Sequence, residues 1–449
     1  MKDLVYQVDR VIKHQFPALG DWFETLPDVR KFGHYSLSNL LLQGLFLFIC
    51  QEKSRNAMNN RVEESDCYRE NFSRLFKGMK TAHFDTVDEV LRKIGMEDLE
   101  KVKVKMIRRL IEKKVLVKYN GYYLVTVDAT GVTSYDEDPE SVLLHKTSKN
   151  GKVTYLNIML EAKLVTPEGL CLSLASEPLS NEEIAEYDKQ DCETKAFKRL
   201  AKKIKSFYPR LPVCILADAF YANQSLFEIC RDNGWQFIVT FKDKQLKTLQ
   251  TEISDIAESV RIRFEKQRLV NKELHRYNIQ SYQAIEGLAY LDYQLNWIEC
   301  IEIQPPTDQP AANKKVQALV KFVYLTNISL GEIADLKEDR IVKIVKAGRC
   351  RWKTENEGFN TQKNLGYHLH HKFARNAVKT LHNYYQLLQM AHIINQLVIH
   401  SQAVALWLKQ KSRRTVDFLW DMMRAVLGLK LLSQASLDAN EGRYQIRYD

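Results

Sequence analysis

The stretch "YYLVTVDATGV", residues 122–132, marks the point where the chain changes from helix-like to strand-like patterning. It joins β-branched and aromatic residues over the length of a strand and runs into a turn-prone segment. Two later stretches, "VCILADAF" (213–220) and "WQFIVTF" (235–241), have the same character, and the helix-like "NQSLFEICRDNG" separates them. This alternation of strand, helix and strand predicts a parallel or mixed α/β sheet.

The remaining segments divide around this sheet. We predict a helical N-terminal region over residues 1–118 and the first part of a sheet domain over 119–242. Aromatic, strand-like runs predict a β-rich insertion over 243–335. The sheet domain then resumes over 336–400, and a helical C-terminal region follows over 401–449. The predicted fold class is therefore α/β, a mixed sheet flanked by helices with a β-rich insertion and a helical N-terminal domain.

The charge balance favours a polyanionic partner. The formal net charge is +10 and the isoelectric point is about 9.0. Excess positive charge of this size favours nucleic acid first and an anionic membrane surface second. Hydrophobic residues at 45% and charged residues at 27% are ordinary for a globular protein.

Cysteine usage and apolar runs indicate the compartment. The 8 cysteines include no Cys-x-x-Cys pair, which argues against a zinc ribbon or a disulfide framework and suits a reducing cytoplasm. The start of the chain has no long apolar segment, so no signal peptide is expected. The run "LLLQGLFLFIC" (40–50) is too short to span a bilayer and predicts a buried helix, capped by Ser36 or Ser38. We expect a soluble intracellular protein.

Two aspartates occupy similar places in the predicted sheet. Asp128 follows the run 123–127, and Asp218 follows the run 213–217. Ligands of open α/β sheets sit at the carboxyl ends of the strands, and a carboxylate there needs a metal or a cation to offset the cost of burial. Each aspartate alone is equally well a turn residue or a helix cap, so the pair carries the prediction.

A third carboxylate is expected from "GRCRWKTENEGFNTQKN", residues 348–364. In a regular helix of roughly 100° per residue, Glu355 shares a face with Trp352 and Phe359, while Glu357 lies about 200° away. If Trp352 and Phe359 pack on the sheet, Glu355 faces the strand ends and Glu357 faces solvent. Gly358 inside the helix costs about 1 kcal/mol relative to Ala, so an irregularity is expected there.

Three carboxylates at one sheet edge predict a site for two Mg²⁺ ions. Such cations prefer oxygen ligands and keep positions open for water and phosphate. Two ions about 3.5–4 Å apart can stabilise both the attacking and the leaving oxygen of a displacement at phosphorus. Together with the basic surface, this pattern indicates a nucleic-acid phosphodiester as substrate.

At this point the sequence resembles the DDE transposases of bacterial insertion sequences, in the branch whose ribonuclease H-like domain carries a β-strand insertion. "VTVDATGV" is similar to the strand of the first aspartate, and "DKQDCETKAFKRL" with "LADAFYANQSLF" is similar to the helix and strand of the second. "YLTNI" followed by "RWKTENEGFNTQK" is similar to the end of the insertion and the helix of the third acid. The resemblance covers about residues 120 to 400.

The family signature around the glutamate is Tyr-x2-Arg-x3-Glu-x6-Lys. Arg351 and Glu355 fit its middle, whereas Gly348 stands at the tyrosine position and Gln362 at the lysine position, with Lys363 one residue late. A one-residue expansion around "NEG" would explain the late lysine. These departures concern the outer, phosphate-contacting residues more than the three acids.

The resemblance implies an Mg²⁺-dependent enzyme, with Mn²⁺ as a substitute, that binds the terminal inverted repeats of its element and cleaves a strand at each end. Strand transfer into target DNA would follow, in related enzymes through a hairpin. The implied metal ligands are Asp128, Asp218 and Glu355, and Arg351 and Lys363 would contact phosphates. A dimer in the synaptic complex and a bacterial, nucleoid-associated location are also implied, with no membrane partner.

Other functions fit parts of the same pattern. A different ribonuclease H-like DNA nuclease would share the three acids, and an inactive DNA-binding descendant would share the basic surface. Metal storage at "HLHH" (368–371) is less favoured than a helix start or a DNA-facing surface. Trp297 in the insertion is either a DNA-binding residue that stacks on a flipped base or a core tryptophan, and the core role is favoured.

Overall fold

The computed structural model describes residues 4–28, 30, 33–182, 189–243, 245–271, 276–303, 319–331, 334–409 and 415–441. The chain forms two compact units. The first unit contains residues 1–117, 129–207 and 353–449, and the second contains 118–128 and 208–352. The predicted helical region 1–118 therefore does not stand as a unit of its own, because it packs together with later segments of the chain.

The helices are numbered in chain order. They are α1 (Leu4–Gln15), α2 (Leu19–Glu24), α3 (Leu37–Ile49), α4 (Arg55–Glu64), α5 (Asp66–Leu75), α6 (Phe84–Leu91), α7 (Met96–Glu112), α8 (Glu193–Phe207), α9 (Gln224–Asn233), α10 (Lys247–Asp255), α11 (Ala334–Arg349), α12 (Thr361–Asn364), α13 (Val378–Ile399), α14 (Gln402–Lys409), α15 (Val416–Leu429) and α16 (Gln434–Asp438). A π-helical segment, Thr354–Asn360, precedes α12 directly.

The strands are numbered in the same way. They are β1 (Tyr123–Tyr135), β2 (Leu144–Thr147), β3 (Val153–Val165), β4 (Cys171–Leu179), β5 (Val213–Ala217), β6 (Gln236–Thr240), β7 (Ile262–Asn271), β8 (Arg276–Tyr290), β9 (Tyr293–Ile303) and β10 (Leu319–Thr326). Parallel and antiparallel pairs both occur, and helices accompany the strands, so the predicted α/β class with a mixed sheet is confirmed.

In the second unit the strand order is β1-β5-β6-β10-β9-β8-β7. The pairs β1/β5 and β5/β6 are parallel, and the pairs from β6/β10 outward are antiparallel. Residues 243–335 are β-rich in their described part. Because β10 pairs with β6, these strands extend the same sheet and do not form a separate one.

The first unit is built around α13. Nearly the whole of this helix is buried, and it packs against α3, α7 and β4. Every residue of α3 is also buried, as expected for a helix that is apolar all round. Ser36 caps α3 by accepting a hydrogen bond from the backbone N of Asn39 at 3.1 Å. Within the described ranges, none of the helices combines the length and apolar character needed to cross a membrane.

Candidate active site

Asp128 and Asp218 occupy equivalent places beside two neighbouring parallel strands, each just past the paired part of β1 and β5. The β1/β5 pairing runs from Tyr123 opposite Val213 to Thr126 opposite Leu216, and the two aspartates come two residues after that last pair on each chain segment. Side chains alternate between the faces of a sheet, so continuing this register by two residues would bring both side chains to the same face. Both aspartates are half-buried.

The two positions differ in one respect from the prediction. Asp218 directly follows Ala217, the last residue of β5, as expected. Asp128 is not at the end of a strand, because β1 continues to Tyr135. The part of β1 that pairs with β5 ends near Asp128, and β1 then continues alone of the two strands. Both aspartates therefore lie just beyond the paired part of β1 and β5.

The backbone around Asp218 fixes its carboxylate. Asp218 caps the short 3-10 turn Ala219–Tyr221, and its Oδ1 accepts a hydrogen bond from the backbone N of Phe220 at 2.9 Å. The side chain of Gln245 donates to the carbonyl oxygen of Ala219 at 2.6 Å, which ties down the same turn. Oδ2 of Asp218 is engaged by no partner in the part of the chain that the structure describes.

The chemistry of this pair suits a hard divalent cation. Neighbouring strands lie about 4.8 Å apart, so two carboxylates at equivalent places beside them can approach one ion or two adjacent ions. Mg²⁺ is commonly held by one or two carboxylates, with water and substrate phosphates completing the shell. Across the described residues, no group of three or more His, Cys, Asp or Glu side chains is arranged to hold a metal.

Glu355 lies in the first unit, in the π-helical segment Thr354–Asn360. Its side chain is exposed, and no hydrogen bond or ion pair engages it among the described residues. Glu357 is half-buried, and its Oε1 lies 3.5 Å from Nζ of Lys353. The carboxylate of Glu355 is thus open to a ligand, whereas that of Glu357 is already held by a cation.

The helical faces predicted for this stretch are wrong. Trp352 is 52% exposed and Phe359 only 5%, so the two rings do not form one packed stripe. Glu357, predicted to face solvent, is the less exposed of the two glutamates. The prediction used regular α-helical spacing, but a π-helix bonds residue i to i+5 and turns the chain less per residue. The irregularity expected at Gly358 is present.

Gly358 allows the π-helical segment to lie close to the strands beneath it. A Cβ atom at this position would stand 3.0 Å from Sγ of Cys171 and 3.3 Å from Cδ of Lys163. Burial raises the pKa of the Cys171 thiol to about 11, so this sulfur packs as a neutral group. The cost of a glycine within a helix is offset here by close contact with β3 and β4.

Gln362 and Lys363 lie in α12, just after the π-helical segment. Gln362 stands where the signature expects a lysine, but its side chain is buried and pairs with Gln389. Lys363, one residue later, is half-buried, with Nζ 5.8 Å from the ring of Phe359. A π-helix holds more residues per turn than an α-helix, and the π-helical segment Thr354–Asn360 contains "NEG".

The other predicted contact residues lie in the second unit. Arg351 follows α11, with its guanidinium carbon 5.3 Å from the ring of Trp352. Trp297 is 6% exposed in β9, where it pairs with Leu325 on one side and Ile285 on the other. In this placement the Trp297 ring is part of the core and is not accessible for stacking on a base.

The histidines of "HLHH" are occupied by local contacts. Nδ1 of His370 lies 3.0 Å from the carbonyl oxygen of Val132, and the ring of His371 packs edge-on against Phe373. Burial lowers the pKa of both His368 and His371. These contacts do not bring the three rings together around one point.

Sequence reasoning missed a set of buried charged residues in the first unit. Glu161 and Lys163 on β3, and Glu100 and Lys103 on α7, have fully buried side chains. The signal was present in "NIMLEAKLVT", where two charged residues interrupt an apolar strand. Charged residues at alternate positions of a buried strand need partners in the core.

Comparison with protein families finds no family model that matches this chain, and comparison with curated proteins finds no match either.

Proposed function

We propose that this protein is a DDE transposase that cleaves and joins DNA at the ends of its element. The observation that carries the proposal is the equivalent placement of Asp128 and Asp218, each two residues past the last pair of the parallel strands β1 and β5. Two carboxylates at such a position are suited to hold Mg²⁺ or Mn²⁺ against a phosphodiester. The proposal includes a ribonuclease H-like catalytic domain whose β-rich residues 243–335 form an insertion.

The proposed roles follow from the chemistry of each side chain. Asp128 and Asp218 supply carboxylate ligands, and Glu355 supplies a third that is not neutralised by a neighbouring cation. The bound ions would stabilise the attacking and leaving oxygens at phosphorus. Arg351 and Lys363 would bind phosphate oxygens through their charged groups. The hydrogen bond from the backbone N of Phe220 to Oδ1 holds the Asp218 carboxylate in one orientation, which leaves Oδ2 to bind the ion.

Hydrolysis and transfer use the same groups. In the first step, water attacks the phosphorus at the element end, the phosphodiester bond to the 3′ oxygen breaks, and that oxygen leaves as a hydroxyl. In the second step, the freed 3′ hydroxyl attacks the phosphorus of another phosphodiester. The bond from that phosphorus to its 3′ oxygen breaks, and this oxygen leaves as a hydroxyl after taking up the proton that the attacking hydroxyl loses. The proposal places the protein with DNA in the bacterial cytoplasm, as a dimer when two ends are paired.

The test is an assay with labelled terminal-repeat DNA and purified protein in Mg²⁺. The proposal predicts strand cleavage at the repeat end and joining of a precleaved end to a second duplex. Cleavage without any joining would favour another nuclease of the same fold. Binding without cleavage in either Mg²⁺ or Mn²⁺ would favour an inactive DNA-binding descendant.

A further inference from the structure

Four charged side chains are completely buried inside the first unit. They are Glu100 and Lys103 on α7, and Glu161 and Lys163 on β3. Removing such charges from water costs several kcal/mol for each ion unless close partners offset the loss. Their retention in the core therefore calls for a complete set of contacts.

The contacts form a continuous polar chain between the two pairs. Nζ of Lys103 lies 3.4 Å from Oε1 of Glu100 and donates to Oγ of Ser173 at 2.8 Å. The hydroxyl of Ser173 donates to Oε2 of Glu161 at 2.8 Å, and Nζ of Lys163 lies 3.9 Å from the same carboxylate oxygen.

One end of the chain reaches the surface at α8. Nζ of Lys203 lies 3.3 Å from Oε2 of Glu100 and 2.8 Å from Oε2 of Glu177. Arg199 contacts Glu177 at 2.6 Å and is partly exposed. This end is thus a salt-bridge network that ties α8 to α7 and β4.

The other end reaches the π-helical segment. Nζ of Lys163 donates to Oε1 of Gln389 at 3.1 Å, and that same oxygen accepts a hydrogen bond from Nε2 of Gln362 at 2.9 Å. Nζ of Lys163 also lies 5.1 Å from the ring centre of Phe359. Its methylene carbons would meet a Cβ on Gly358 at 3.3–3.4 Å. The Lys163 side chain therefore approaches the segment at the Phe359 ring and at Gly358, and it is linked through Gln389 to Gln362 in the helix that follows the segment.

A π-helical turn needs such support. The i→i+5 pattern is rare, occurs mostly as single turns, and is frequent at functional sites. An unusual backbone form persists only when the surrounding structure holds it in place. Lys163 on β3 contacts Gly358, Phe359 and the Gln389–Gln362 pair, and these contacts stabilise the π-helical turn on the side that faces β3.

We propose that Lys163 is a positioning residue that maintains the π-helical form of Thr354–Asn360 and so fixes the orientation of Glu355. Lys163 does not touch the reacting atoms. Its consequence for DNA cleavage rests on the function proposed above, whereas its effect on the segment does not. A core lysine that served packing alone would influence the stability of the whole unit and have no particular effect on this segment.

The experiment compares two double variants that each remove one ion pair of this polar chain, the first fully buried and the second partly exposed. Lys163→Met with Glu161→Gln removes the charges beside the segment without leaving an unpaired ion. Lys203→Met with Glu177→Gln is the matched control at the far end of the chain. Hydrogen exchange is measured by mass spectrometry on peptides that cover residues 353–364, under conditions where both variants are folded.

The proposal predicts that exchange in 353–364 becomes about tenfold faster or more in the Lys163 variant and is unchanged in the control. Unchanged exchange in the Lys163 variant, or equal acceleration in both variants, would overturn it. If the Lys163 variant does not fold, Gln362→Met breaks the contact on the segment side without removing a charge. It should accelerate the same peptides, and an unchanged exchange rate there overturns the proposal equally.

A second readout separates positioning from the proposed catalysis. The Lys163 variant should lower kcat for end cleavage about tenfold, with KM for the DNA unchanged, because the segment is misplaced and the binding surface is not. If the Lys163 variant cleaves more slowly but its hydrogen exchange in residues 353–364 is unchanged, the positioning role is contradicted. If the wild-type protein cleaves no DNA, the proposed function fails and the exchange result still decides the role of Lys163.

Discussion

Glu355 and Glu357 are separated by one residue in the π-helical segment, and among the residues that the structure describes a cation, Lys353 at 3.5 Å, pairs with Glu357 but none pairs with Glu355. The open carboxylate is the better candidate for a metal ligand, since it needs to break no ion pair to bind. Regular helical geometry also predicts Glu355 as the ligand, although it wrongly predicts that Glu355 lies on a packed face of the helix and Glu357 on the solvent face.

Glu355→Gln should abolish metal-dependent cleavage, because a neutral amide does not supply the charge of the missing ligand. Glu357→Gln should keep most of the activity and lower stability by at most about 1 kcal/mol, since the Lys353 pair is half-exposed. Both variants are assayed in parallel on a pre-nicked end substrate. An active Glu355→Gln with an inactive Glu357→Gln would mean that the register chosen here is incorrect.

Gly358→Ala should destabilise the first unit by about 1–3 kcal/mol, because the added methyl meets Sγ of Cys171 at 3.0 Å and Cδ of Lys163 at 3.3 Å. Gly131→Ala is the matched control, since its Cβ would meet no atom within 4 Å. Urea unfolding measures both changes. Cys171→Ala should recover part of the loss when combined with Gly358→Ala, so additive free energies in that double-mutant cycle would contradict the close packing described here.

Two buried histidines of α13 predict a loss of stability on acidification. Burial lowers the pKa of His382 to about 4 and that of His392 to about 3, from an ordinary value near 6.5. Below about pH 6.5 the unfolded chain takes up protons that the folded chain does not. The contribution of these two neutral histidines to the free energy of unfolding is therefore fully present above about pH 6.5. It falls as the pH drops toward 4, by about 1.4 kcal/mol per pH unit for each histidine.

The measurement is the free energy of unfolding in urea at about pH 7.5 and about pH 5. His382→Gln should reduce the difference between the free energies of unfolding at the two pH values, because glutamine does not titrate. Its amide can still donate to Oδ1 of Asn157, which lies 3.0 Å from Nε2 of His382, so the local contact is kept. A variant that loses as much stability on acidification as the wild type would show that His382 is not responsible.

The strands of the sheet could be predicted from the sequence, but the limits of β1 could not. The β-branched and aromatic runs 213–220 and 235–241 predict β5 and β6 close to their observed bounds. Asp128 is predicted to stand at the end of its strand, after the run 123–127, yet β1 continues to Tyr135. The length of β1 depends on pairing with other strands, which local propensity does not specify.

The π-helical segment and the division into units depend on contacts between distant residues. The close approach of Gly358 to Cys171 joins residues that are 187 positions apart in the sequence (358 − 171 = 187), and no local pattern specifies it. The N-terminal helices are tied to α13 in the same way, for example by Asn383, whose side chain donates to the carbonyl oxygens of Leu91 and Ile94 at 2.7 Å each. Periodicity identifies such helices but not their partners.

DNA binding should weaken steeply as salt rises, because lysine and arginine side chains displace counterions from phosphates. The net charge of +10 is the basis of this prediction. The measurement is a titration of terminal-repeat DNA at several salt concentrations, with a double-logarithmic plot of binding constant against salt. A binding constant that does not change with salt would argue against DNA as the partner.

The central claim is that Asp128 and Asp218 together hold the metal that activates DNA cleavage. The most direct measurement is end cleavage by the wild type, Asp128→Ala and Asp218→Ala in Mg²⁺, with binding of the same DNA measured in parallel. We predict cleavage by the wild type, loss of cleavage in both variants and near-normal binding in all three. Cleavage retained in either variant would contradict the assignment of these two carboxylates as the catalytic pair.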